Sequence, residues 1–531
     1  MLRVLLAGIA LFALSGCALI PPTPEYVAPP APREFRAMWV ATVANIDWPS
    51  KPGLPAAVLR EEMQRILTTA RQLKLNAVIL QVRPAADAIY PSQFEPWSEY
   101  LSGRQGVAPG DGYDPLAEWV TAAHASGIEL HAWFNPYRAR HASAKSPLAA
   151  QHVANTHPQI VKTYGDMLWM DPGEEQAAAR TLAVIADVVR RYDVDGVHID
   201  DYFYPYPIKE TGDRAGDELP FPDQPSWTRY RQHAGLFAWR DRADWRRNNV
   251  DRLVRDIYST VHAIKPWVKV GVSPFGIGRP DRRPAGIAGF SQYDKLYADV
   301  EHWLRAGWLD YLAPQLYWPI DREAQAFAVL LTYWSSENWR GRHLWPGLFT
   351  SRIDDSEKSW QPEEIRQQIA LQRSSGGASG HVHFSAAALV QNRKGIADVL
   401  AKTTYVGTAV VPPTPWLRPA AGQRPPAPRV ELTCPSVTLA RDDSAVCRVI
   451  VNTPDGDAAP VTNVAALWLR YGNVWQLQAT AVGRDGASIP ISRDGEKLNL
   501  VVARLVDRYG LEGAETVQSV PAAGLADRDT Q

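Results

Sequence analysis

The sequence predicts an α/β fold: a (β/α)8 TIM barrel followed by a smaller C-terminal all-β sandwich of the fibronectin or immunoglobulin type. From residue 34 to about 403, short apolar runs alternate with longer amphipathic stretches, which is the pattern of repeated βα units. From about 429 to 520 the pattern changes to short alternating strands separated by turn signals such as Pro454-Asp455-Gly456. These two patterns divide the chain into a barrel and a sandwich.

Each predicted barrel strand is followed by a predicted helix. An open doubly wound sheet is the alternative, but it usually has fewer units and often a Gly-rich first turn, which is missing after Phe35–Ala41. The predicted strands are Phe35–Ala41, Ala77–Val82, Glu129–Phe134, Gly196–Asp200, Val268–Ser273, Tyr311–Leu316, Leu344–Leu348 and His381–Ser385. The predicted helices lie around 56–73, 114–126, 174–191, 226–264, 292–306, 321–338, 361–374 and 386–402.

Composition limits the function classes. The net charge of −1 over 531 residues argues against a nucleic-acid partner held by bulk electrostatics. The chain contains 20 Trp and 20 Tyr, which suit either a large core or stacking on sugar rings. We predict no cofactor and no metal.

The N-terminus predicts a lipoprotein. Residues 1–16 have the charge and the short apolar run of a signal peptide, and the run is too short to span a bilayer. Leu14-Ser15-Gly16-Cys17 resembles the bacterial lipobox, in which cleavage leaves Cys17 as a lipid-modified N-terminus; the alternative is an ordinary signal with an incidental Cys. By analogy with Gram-negative sorting, Ala18 after the Cys favours an outer-membrane lipoprotein facing the periplasm. Residues 17–33 then form a Pro-rich tether.

The C-terminal part contains no catalytic cluster. Residues 404–428 are Pro-rich and predict a linker, 429–520 form the sandwich, and 521–531 are a tail. Cys434 and Cys447 lie close together in the β-rich region, so an oxidising compartment predicts a disulfide between them, although both could be free.

The run from Asp195 to Phe203 carries most of the functional information. Because strand side chains alternate, Val197 and Ile199 share one face while His198 and Asp200 share the other. In a (β/α)8 barrel, polar residues at the C-terminal end of a strand face the active-site mouth. Asp200 is therefore predicted to lie where chemistry occurs. The alternative is that Asp200 and Asp201 only cap the following loop.

The same alternation predicts further inward-facing residues on four other strands. Each of these faces becomes more polar toward its C-terminal end, although interior polar groups can also be hydrogen-bonded plugs. The predicted inward sets are Gln81 with Arg83, His131 with Trp133 and Asn135, Ala313 with Gln315 and Tyr317, and His381 with His383 and Ser385. The candidates for stacking on sugars are Trp133, Tyr202, Phe203, Tyr317 and Trp318.

Five separated motifs resemble one family over roughly residues 34–400. They are Phe35-Arg36-Ala37-Met38-Trp39-Val40, Gln81-Val82-Arg83-Pro84 with Asp87, Ala132-Trp133-Phe134-Asn135-Pro136-Tyr137-Arg138, the Asp195 to Phe203 run, and Ala313-Pro314-Gln315-Leu316-Tyr317-Trp318. Together they are similar to the bacterial glycosyl-hydrolase-like barrel family, formerly a domain of unknown function. The resemblance implies a lipid-anchored hydrolase of peptidoglycan glycan strands denuded of stem peptides. It leaves cell-wall and cell-division partners undetermined.

The family is distantly similar to the α-amylase clan, and this chain departs from that clan's pattern. Gly196-Val197-His198-Ile199-Asp200 occupies the place of the clan's nucleophile strand, with His198 where the clan has Arg. The clan's acid Glu ends the fifth strand, where this chain has Ser273. The proton donor must therefore come from elsewhere.

Glycosidic cleavage ordinarily uses two carboxyl groups. Asp200 is the predicted nucleophile or base, and Asp201 and Asp87 compete as the acid, with Asp47 a distant third. Asp201 qualifies only if its strand ends at Asp200. An N-acetyl group on the substrate also permits substrate-assisted cleavage, and the sequence leaves the mechanism open.

The predicted substrate-binding set mixes charge, amides and aromatic rings. Arg83 and Arg138 could hold the lactyl carboxylate of N-acetylmuramic acid or could fix Asp200 in place, while Asn135 and Gln315 could bind N-acetyl or hydroxyl groups. The full set is Arg83, Gln81, Trp133, Asn135, Arg138, His198, Tyr202, Gln315, Tyr317 and Trp318.

Two rival functions remain. One is a metal-dependent hydrolase or deacetylase that uses His131, His198, His381 and His383 near Asp200. The other is a glycan-binding lipoprotein that has lost catalysis, for which the missing Glu on the fifth strand is the best argument.

Overall fold

The computed structural model describes residues 26–110, 112–210, 216–418, 424–435, 445–454, 464–483 and 486–520. The predicted signal peptide, Cys17, most of the tether and the 521–531 tail lie outside the described residues. The chain divides into two compact units, 1–30 and 31–531. In the first unit the described residues 26–30 form no helix or strand. No described helix has the length and apolar character needed to cross a membrane.

The first part of the larger unit is the predicted barrel. A single sheet of nine parallel strand segments runs in the order β10-β9-β8-β7-β3-β2-β1-β12-β11. The strands in this part of the chain are β1 (Phe35–Val40), β2 (Ala77–Arg83), β3 (Glu129–Phe134), β4 (Arg138–Arg140), β5 (Val161–Tyr164), β6 (Met167–Met170), β7 (Gly196–Ile199), β8 (Lys269–Val272), β9 (Tyr311–Leu312), β10 (His343–Leu344), β11 (Gly347–Leu348) and β12 (Gly380–His383).

The nine segments occupy eight strand positions. Only Trp345 and Pro346 separate β10 from β11; β10 pairs with β9 on one side, and β11 pairs with β12 on the other. Gln315 also bridges to Gly347, which closes the sheet into a barrel. The prolines explain why the sixth and seventh strands are shorter than predicted, because Pro314 and Pro346 have no N–H to donate to the sheet.

Helices follow the strands around the outside. They are α1 (Ala56–Gln72), α2 (Glu99–Ser102), α3 (Pro115–Ala125), α4 (Val153–Thr156), α5 (Glu175–Arg191), α6 (Gln224–Ala234), α7 (Arg242–Ile264), α8 (Gln292–Lys295), α9 (Val300–Ala306), α10 (Phe327–Glu337), α11 (Pro362–Ser374), α12 (Ala386–Val390) and α13 (Ile396–Val399). The single helix predicted over 226–264 is two helices. Gly235, at positive φ, ends α6, and the Asp241 side chain caps α7.

Strand alternation separates two apolar layers. Val78, Leu80 and Val197 pack against the helices in the larger core. Ala77 and Ile79 point the other way and fill the barrel interior in a separate cluster. The predicted division of β2 and β7 into a helix-facing and an interior face is therefore confirmed, except at Arg83 at the end of β2.

The loop after β3 holds a small antiparallel sheet that the sequence analysis did not identify. Its strand order is β4-β6-β5. This sheet lies directly after Asn135, and it carries Arg138 on its first strand. It therefore builds one wall beside the C-terminal ends of the barrel strands.

The second part of the larger unit is the predicted sandwich. Two antiparallel sheets, β13-β14-β17 and β16-β15-β19-β18 with β20 paired to β19, share one apolar core. Cys434 and Cys447 form a disulfide at the first sheet. The strands are β13 (Arg429–Thr433), β14 (Val446–Asn452), β15 (Val464–Tyr471), β16 (Val474–Ala481), β17 (Ala487–Pro490), β18 (Ser492–Arg493), β19 (Glu496–Val506) and β20 (Glu512–Ser519).

The sandwich docks on the base of the barrel, which we define as the N-terminal ends of its strands. Arg508, between β19 and β20, forms ion pairs with Asp193 and Asp195, which precede β7. The described part of the predicted 404–428 linker also lies against this end. Val410 pairs with Arg33, and the Trp416 indole donates to Asp310 at 2.8 Å. The sandwich contacts the end of the barrel opposite the strand ends where a barrel active site lies.

Candidate active site

A cavity of about 310 Å³ opens at the mouth of the barrel, which we define as the C-terminal ends of its strands. Its lining includes both carboxyl groups of the Asp200–Asp201 pair. Nine of the residues predicted for the site line it: Gln81, Trp133, Arg138, His198, Asp200, Asp201, Tyr202, Gln315 and Tyr317. The other four do not: Asp87, Arg83, Asn135 and Trp318.

Asp200 is held by donors alone. Its Oδ2 accepts hydrogen bonds from the Trp133 indole N–H at 3.0 Å and from the Asn135 amide, while its Oδ1 accepts from the Tyr202 backbone N–H at 3.4 Å. Burial raises the pKa of Asp200 to about 7; nearby Arg138 opposes this shift and Asp201 adds to it. The carboxyl is thus positioned as an anion and poised to titrate near neutral pH.

A directed relay of amides orients Asp200. The backbone N–H groups of Thr42 and Val43 both donate to Gln81 Oε1 at 2.9 Å. The Gln81 amide nitrogen must therefore face the other way, and it donates to Asn135 Oδ1 at 2.5 Å. This in turn directs the Asn135 amide nitrogen at Asp200. Gln81 and Asn135 use these polar groups to fix the carboxylate.

Asp201 reaches the same cavity because β7 ends at Ile199 and strand alternation no longer applies. From the sequence, Asp201 qualifies as the acid only if its strand ends by Asp200, and this condition is met. The Tyr206 hydroxyl donates to its Oδ2, and the Gln315 amide also contacts it. Burial raises the pKa of Asp201 to about 6. Adjacent carboxyl groups titrate as a pair, so both raised pKa values belong to the pair.

His198 lines the cavity, but both ring nitrogens are engaged. Its Nε2 accepts from the Trp39 indole N–H at 3.1 Å, and an indole can only donate. Its Nδ1 bonds the Tyr311 hydroxyl at 3.0 Å, and that hydroxyl bonds His131 at 2.9 Å. Burial lowers the pKa of His198 well below its ordinary value, so the ring is neutral and donates from Nδ1. It forms part of the cavity floor.

Aromatic rings form much of the cavity wall. Tyr317 stacks on Phe349 with ring centroids 4.9 Å apart and also contacts Phe384. Tyr202 lies under the Arg138 guanidinium. The lining rings are Trp39, Trp133, Tyr202, Tyr317, Phe349 and Phe384, together with Tyr206. Of the predicted stacking residues, Phe203 is fully buried and Trp318 packs on Phe275, so neither presents a face here.

The two candidate arginines are placed differently. Arg83 is fully buried, pairs with both oxygens of Glu95 at 2.6 and 2.8 Å, and donates to the Asn135 and Pro136 carbonyls. The prediction that Arg83 shares the inward face of Gln81 is wrong. The register shifts between these two residues in the pairing of β2 with β3, and this irregularity turns Arg83 away. Arg138 lines the cavity.

The two other acid candidates lie away from the cavity. Asp87 is buried, accepts from the Ala85 backbone N–H at 2.9 Å, and has a pKa raised by burial to about 6. Asp47 accepts from Ser385 at 2.7 Å and from the Ala387 backbone, so it ties the β1 loop to the β12 loop. Both carboxyl groups hold loops together.

The prediction that His381, His383 and Ser385 face the interior is wrong. Val382 and Phe384 take the inward positions, because these apolar side chains complete the interior cluster. His381 bonds Gln372 and Tyr405, and His383 bonds Thr350 and Tyr405, so each ring is satisfied from outside the barrel. Within the described ranges, no group of three or more His, Cys, Asp or Glu is arranged to hold a metal ion.

Several lining residues were missed by the sequence analysis. Trp39 and Phe384 could have been found by alternation, since Trp39 shares the parity of Phe35 and Ala37, and Phe384 that of Val382. Tyr206 and Phe349 lie on loops, where no periodicity predicts which way a side chain points. Ala44, at φ 53° in the loop after β1, also borders the cavity.

A pair of buried carboxyl groups with raised pKa values, walled by aromatic rings at a barrel mouth, can perform acid–base or nucleophilic chemistry on a sugar. The fold and the site together define a barrel of the glycoside hydrolase type. The profile of the family described as "Glycosyl hydrolase-like 10" matches residues 34–363, and the chain belongs to this family.

Two relatives align with about three quarters of this chain. "Glycosyl hydrolase YngK" of Bacillus subtilis (strain 168) is 43% identical over 406 residues, which cover 75% of this chain and 77% of the relative. "Glycosyl hydrolase DigH" of Escherichia coli (strain K12) is 36% identical over 418 residues, which cover 72% of this chain and 91% of the relative. The PgaB (BpsB) glycoside hydrolase domain from Bordetella bronchiseptica aligns at 13% identity and a TM-score of 0.45, over 70% of this chain and 98% of that domain.

Proposed function

We propose that this protein is a lipid-anchored glycoside hydrolase that cleaves peptidoglycan glycan strands after their stem peptides have been removed. The observation that carries the proposal is the Asp200–Asp201 pair. Two adjacent buried carboxyl groups line one cavity at the barrel mouth, and burial raises both pKa values toward neutrality. Membership of a glycosyl hydrolase-like family supports the reaction class.

The hydrogen bonds favour different roles for the two carboxyl groups. Asp200 Oδ2 accepts from two groups that can only donate, so this oxygen has no room for a proton. We therefore assign Asp200 the charged role, as nucleophile, base or stabiliser of a developing positive charge. Asp201 then carries the proton in the cleaving state and delivers it to the glycosidic oxygen, and the two carboxyl groups exchange this proton because both pKa values are raised.

The substrate assignment rests on the family resemblance and on the shape of the site. Aromatic rings suit the faces of successive sugars, and the cavity opens at the barrel mouth. The sandwich docks on the base of the barrel, so it leaves the mouth to the substrate. The lipobox at Cys17 supports an outer-membrane anchor facing the periplasm, where peptidoglycan lies.

The test is a digest. Full-length protein in detergent is incubated with intact wall and with glycan strands stripped by an amidase, and the products are read by mass spectrometry. We expect short sugars from stripped strands only, and none from the Asp200→Asn variant. Binding of stripped strands without any product from the wild-type protein would overturn the proposal and leave a glycan-binding lipoprotein, the alternative that Ser273 at the end of the fifth strand favours.

A further inference from the structure

Arg138 has an unsatisfied charge-bearing donor. Its side chain is 3% exposed and lines the cavity beside the carboxyl pair. Nε donates to the Pro84 carbonyl at 3.0 Å, and the guanidinium lies 4.7 Å from the centroid of the Tyr202 ring. Its Nη2 is buried and has no hydrogen-bond partner among the residues that the structure describes, while the guanidinium also interacts with the Tyr202 hydroxyl. A buried cationic donor without a partner costs free energy, and because the Arg138 guanidinium borders the cavity, an anion bound there would reduce this cost.

Arg83 shows what a purely structural arginine looks like in the same part of the fold. Its guanidinium is neutralised by both oxygens of Glu95 and also donates to two carbonyls. Arg138 has no such carboxylate: it influences the pKa values of Asp200 and Asp201 through space, but no hydrogen bond joins it to either in the described structure. Of these two arginines, Arg83 is neutralised by a carboxylate, whereas the Arg138 guanidinium has no carboxylate bonded to it in the described structure and can bind an anion in the cavity.

The charges around Arg138 favour a carboxylate. His141 also lines the cavity, but burial and the nearby Arg138 lower its pKa to about 4, so it is neutral at neutral pH. His198 is neutral as well. Arg138 is thus the permanent cation among the described lining residues. Guanidinium groups recognise carboxylates through directional, charge-assisted hydrogen bonds.

We propose that Arg138 reads the free lactyl carboxylate of N-acetylmuramic acid and so makes the enzyme selective for denuded strands. This inference rests on the proposed function and names the residue that sets its specificity. In an intact strand the lactyl carbonyl is an amide that continues into the stem peptide, with no negative charge. Only after the amide is hydrolysed does the sugar carry an anion that the Arg138 guanidinium can bind.

The chemistry also fixes the order of the two reactions. Water adds to the lactyl amide and the C–N bond breaks, which yields a lactyl carboxylate and a protonated amine on the released peptide. An amide hydrolysis of this class must therefore precede glycosidic cleavage by this protein. The guanidinium makes the product of the first reaction the preferred substrate of the second.

The test compares two strands that differ only in this group. Amidase-stripped strands are used as they are, or with their lactyl carboxylates converted to neutral methylamides. With full-length protein in detergent, we expect kcat/KM to favour the free carboxylate by about 10- to 100-fold, as one charge-assisted contact provides. In Arg138→Gln we expect the ratio to fall to near one, and in Arg138→Lys to an intermediate value. Each variant is assayed at its own pH optimum, because Arg138 also acts on the carboxyl pair.

The outcomes separate the two proposals. If the wild-type protein cleaves neither strand, the proposed function fails and the inference fails with it. If it cleaves both strands equally well, the inference alone is overturned, even if the variants do not fold. If it prefers the carboxylate but folded Arg138→Gln keeps the full ratio, another residue reads the anion. A melting temperature for each variant establishes that it is folded.

Discussion

Asp195 and Asp200 lie at opposite ends of the four-residue strand β7, and their surroundings differ completely. Asp195, at the base, meets Arg508 and accepts from His124 at 2.8 Å. Burial alone would raise its pKa, but His124 and Arg508 lower it far below the ordinary value. Asp200, at the mouth, accepts only neutral donors, and burial raises its pKa to about 7.

The difference shows how the fold assigns roles to two equally buried carboxyl groups. A carboxylate that is neutralised by cations is locked in its charged form and serves to join the sandwich to the barrel. A carboxylate that is desolvated without such a partner remains able to exchange a proton near neutral pH, as catalysis requires. The ion pairs at the base of the barrel stabilise the fold, whereas the desolvated carboxyl group at the mouth costs stability and keeps a pKa near neutrality.

The largest expected effect comes from exchanging each aspartate for asparagine. Asp200→Asn removes the charged carboxylate and should lower kcat/KM on stripped strands by at least about 10³-fold. Asp195→Asn is the matched control: it lies outside the cavity, and folded protein should keep its activity within about twofold. Steady-state kinetics at 25 °C measures both. Equal losses in the two variants would contradict the separation of roles.

The next effect concerns the ion pair between Arg508 and Asp195 at the N-terminal ends of the barrel strands. Arg508→Met leaves Asp195 buried without its guanidinium partner and should lower the free energy of unfolding by about 3–5 kcal/mol. Because the pKa of Asp195 is lowered in the folded state, this contribution is fully present above the unfolded pKa of about 4 and is lost progressively as the pH falls from there toward the much lower folded pKa. Urea unfolding at several pH values measures the difference.

Arg504→Met provides the control for that experiment. Arg504 pairs with Glu515 at the half-exposed surface of the sandwich, so its loss should cost less than about 1 kcal/mol. A cost for Arg508→Met no larger than this would show that the buried pair does not hold the base together.

A third prediction concerns Asp200 at the mouth, whose effect on the free energy of unfolding should depend on pH in the opposite direction to that of Asp195. Because the pKa of Asp200 is raised to about 7, its favourable contribution is fully present below about pH 4 and is lost as the pH rises through 7. Asp200→Asn should therefore stabilise the protein at alkaline pH, by up to about 4 kcal/mol, with little gain near pH 4. Thermal unfolding across this range checks it. A gain that does not depend on pH would contradict the raised pKa.

The smallest effect comes from the amide relay. Gln81→Glu still accepts from the backbone of Thr42 and Val43, but it cannot donate to Asn135, so the orientation of Asp200 loosens. We expect kcat to fall about tenfold with KM nearly unchanged, which is typical of a positioning residue. The pH optimum should shift as well, since Asn135 no longer favours the charged form. A rise in KM alone would indicate direct substrate contact.

The sequence predicted the barrel because its strands are apolar on a fixed period, and β1, β2, β3 and β7 lie close to their predicted places. The predicted strand bounds were less accurate where proline interrupts the pattern, as in the sixth and seventh strands. The direction of the Asp200 side chain was predicted from alternation on β7. The access of Asp201 to the same cavity was predicted only on condition that the strand ends before it.

The rest of the site depends on contacts that no local pattern contains. Arg83 is a plausible ligand from the sequence, but the structure pairs it with Glu95 in the loop that follows β2, where no periodicity predicts which way a side chain points. His381 and His383 shared the parity that alternation allowed, but Tyr405 offered them partners on the outer face. Nothing in the sequence distinguishes a satisfied arginine from an unsatisfied one, since the difference lies in the tertiary partners.

The most direct test is the pH dependence of kcat/KM on stripped strands. The pair should work with one carboxyl charged and one protonated, so we predict a bell-shaped profile with its maximum between about pH 6 and 7. The Asp201→Asn variant should keep residual activity and lose one limb of the bell. A profile that is flat from about pH 5 to 8, or a bell that Asp201→Asn leaves unchanged, would contradict catalysis by the pair.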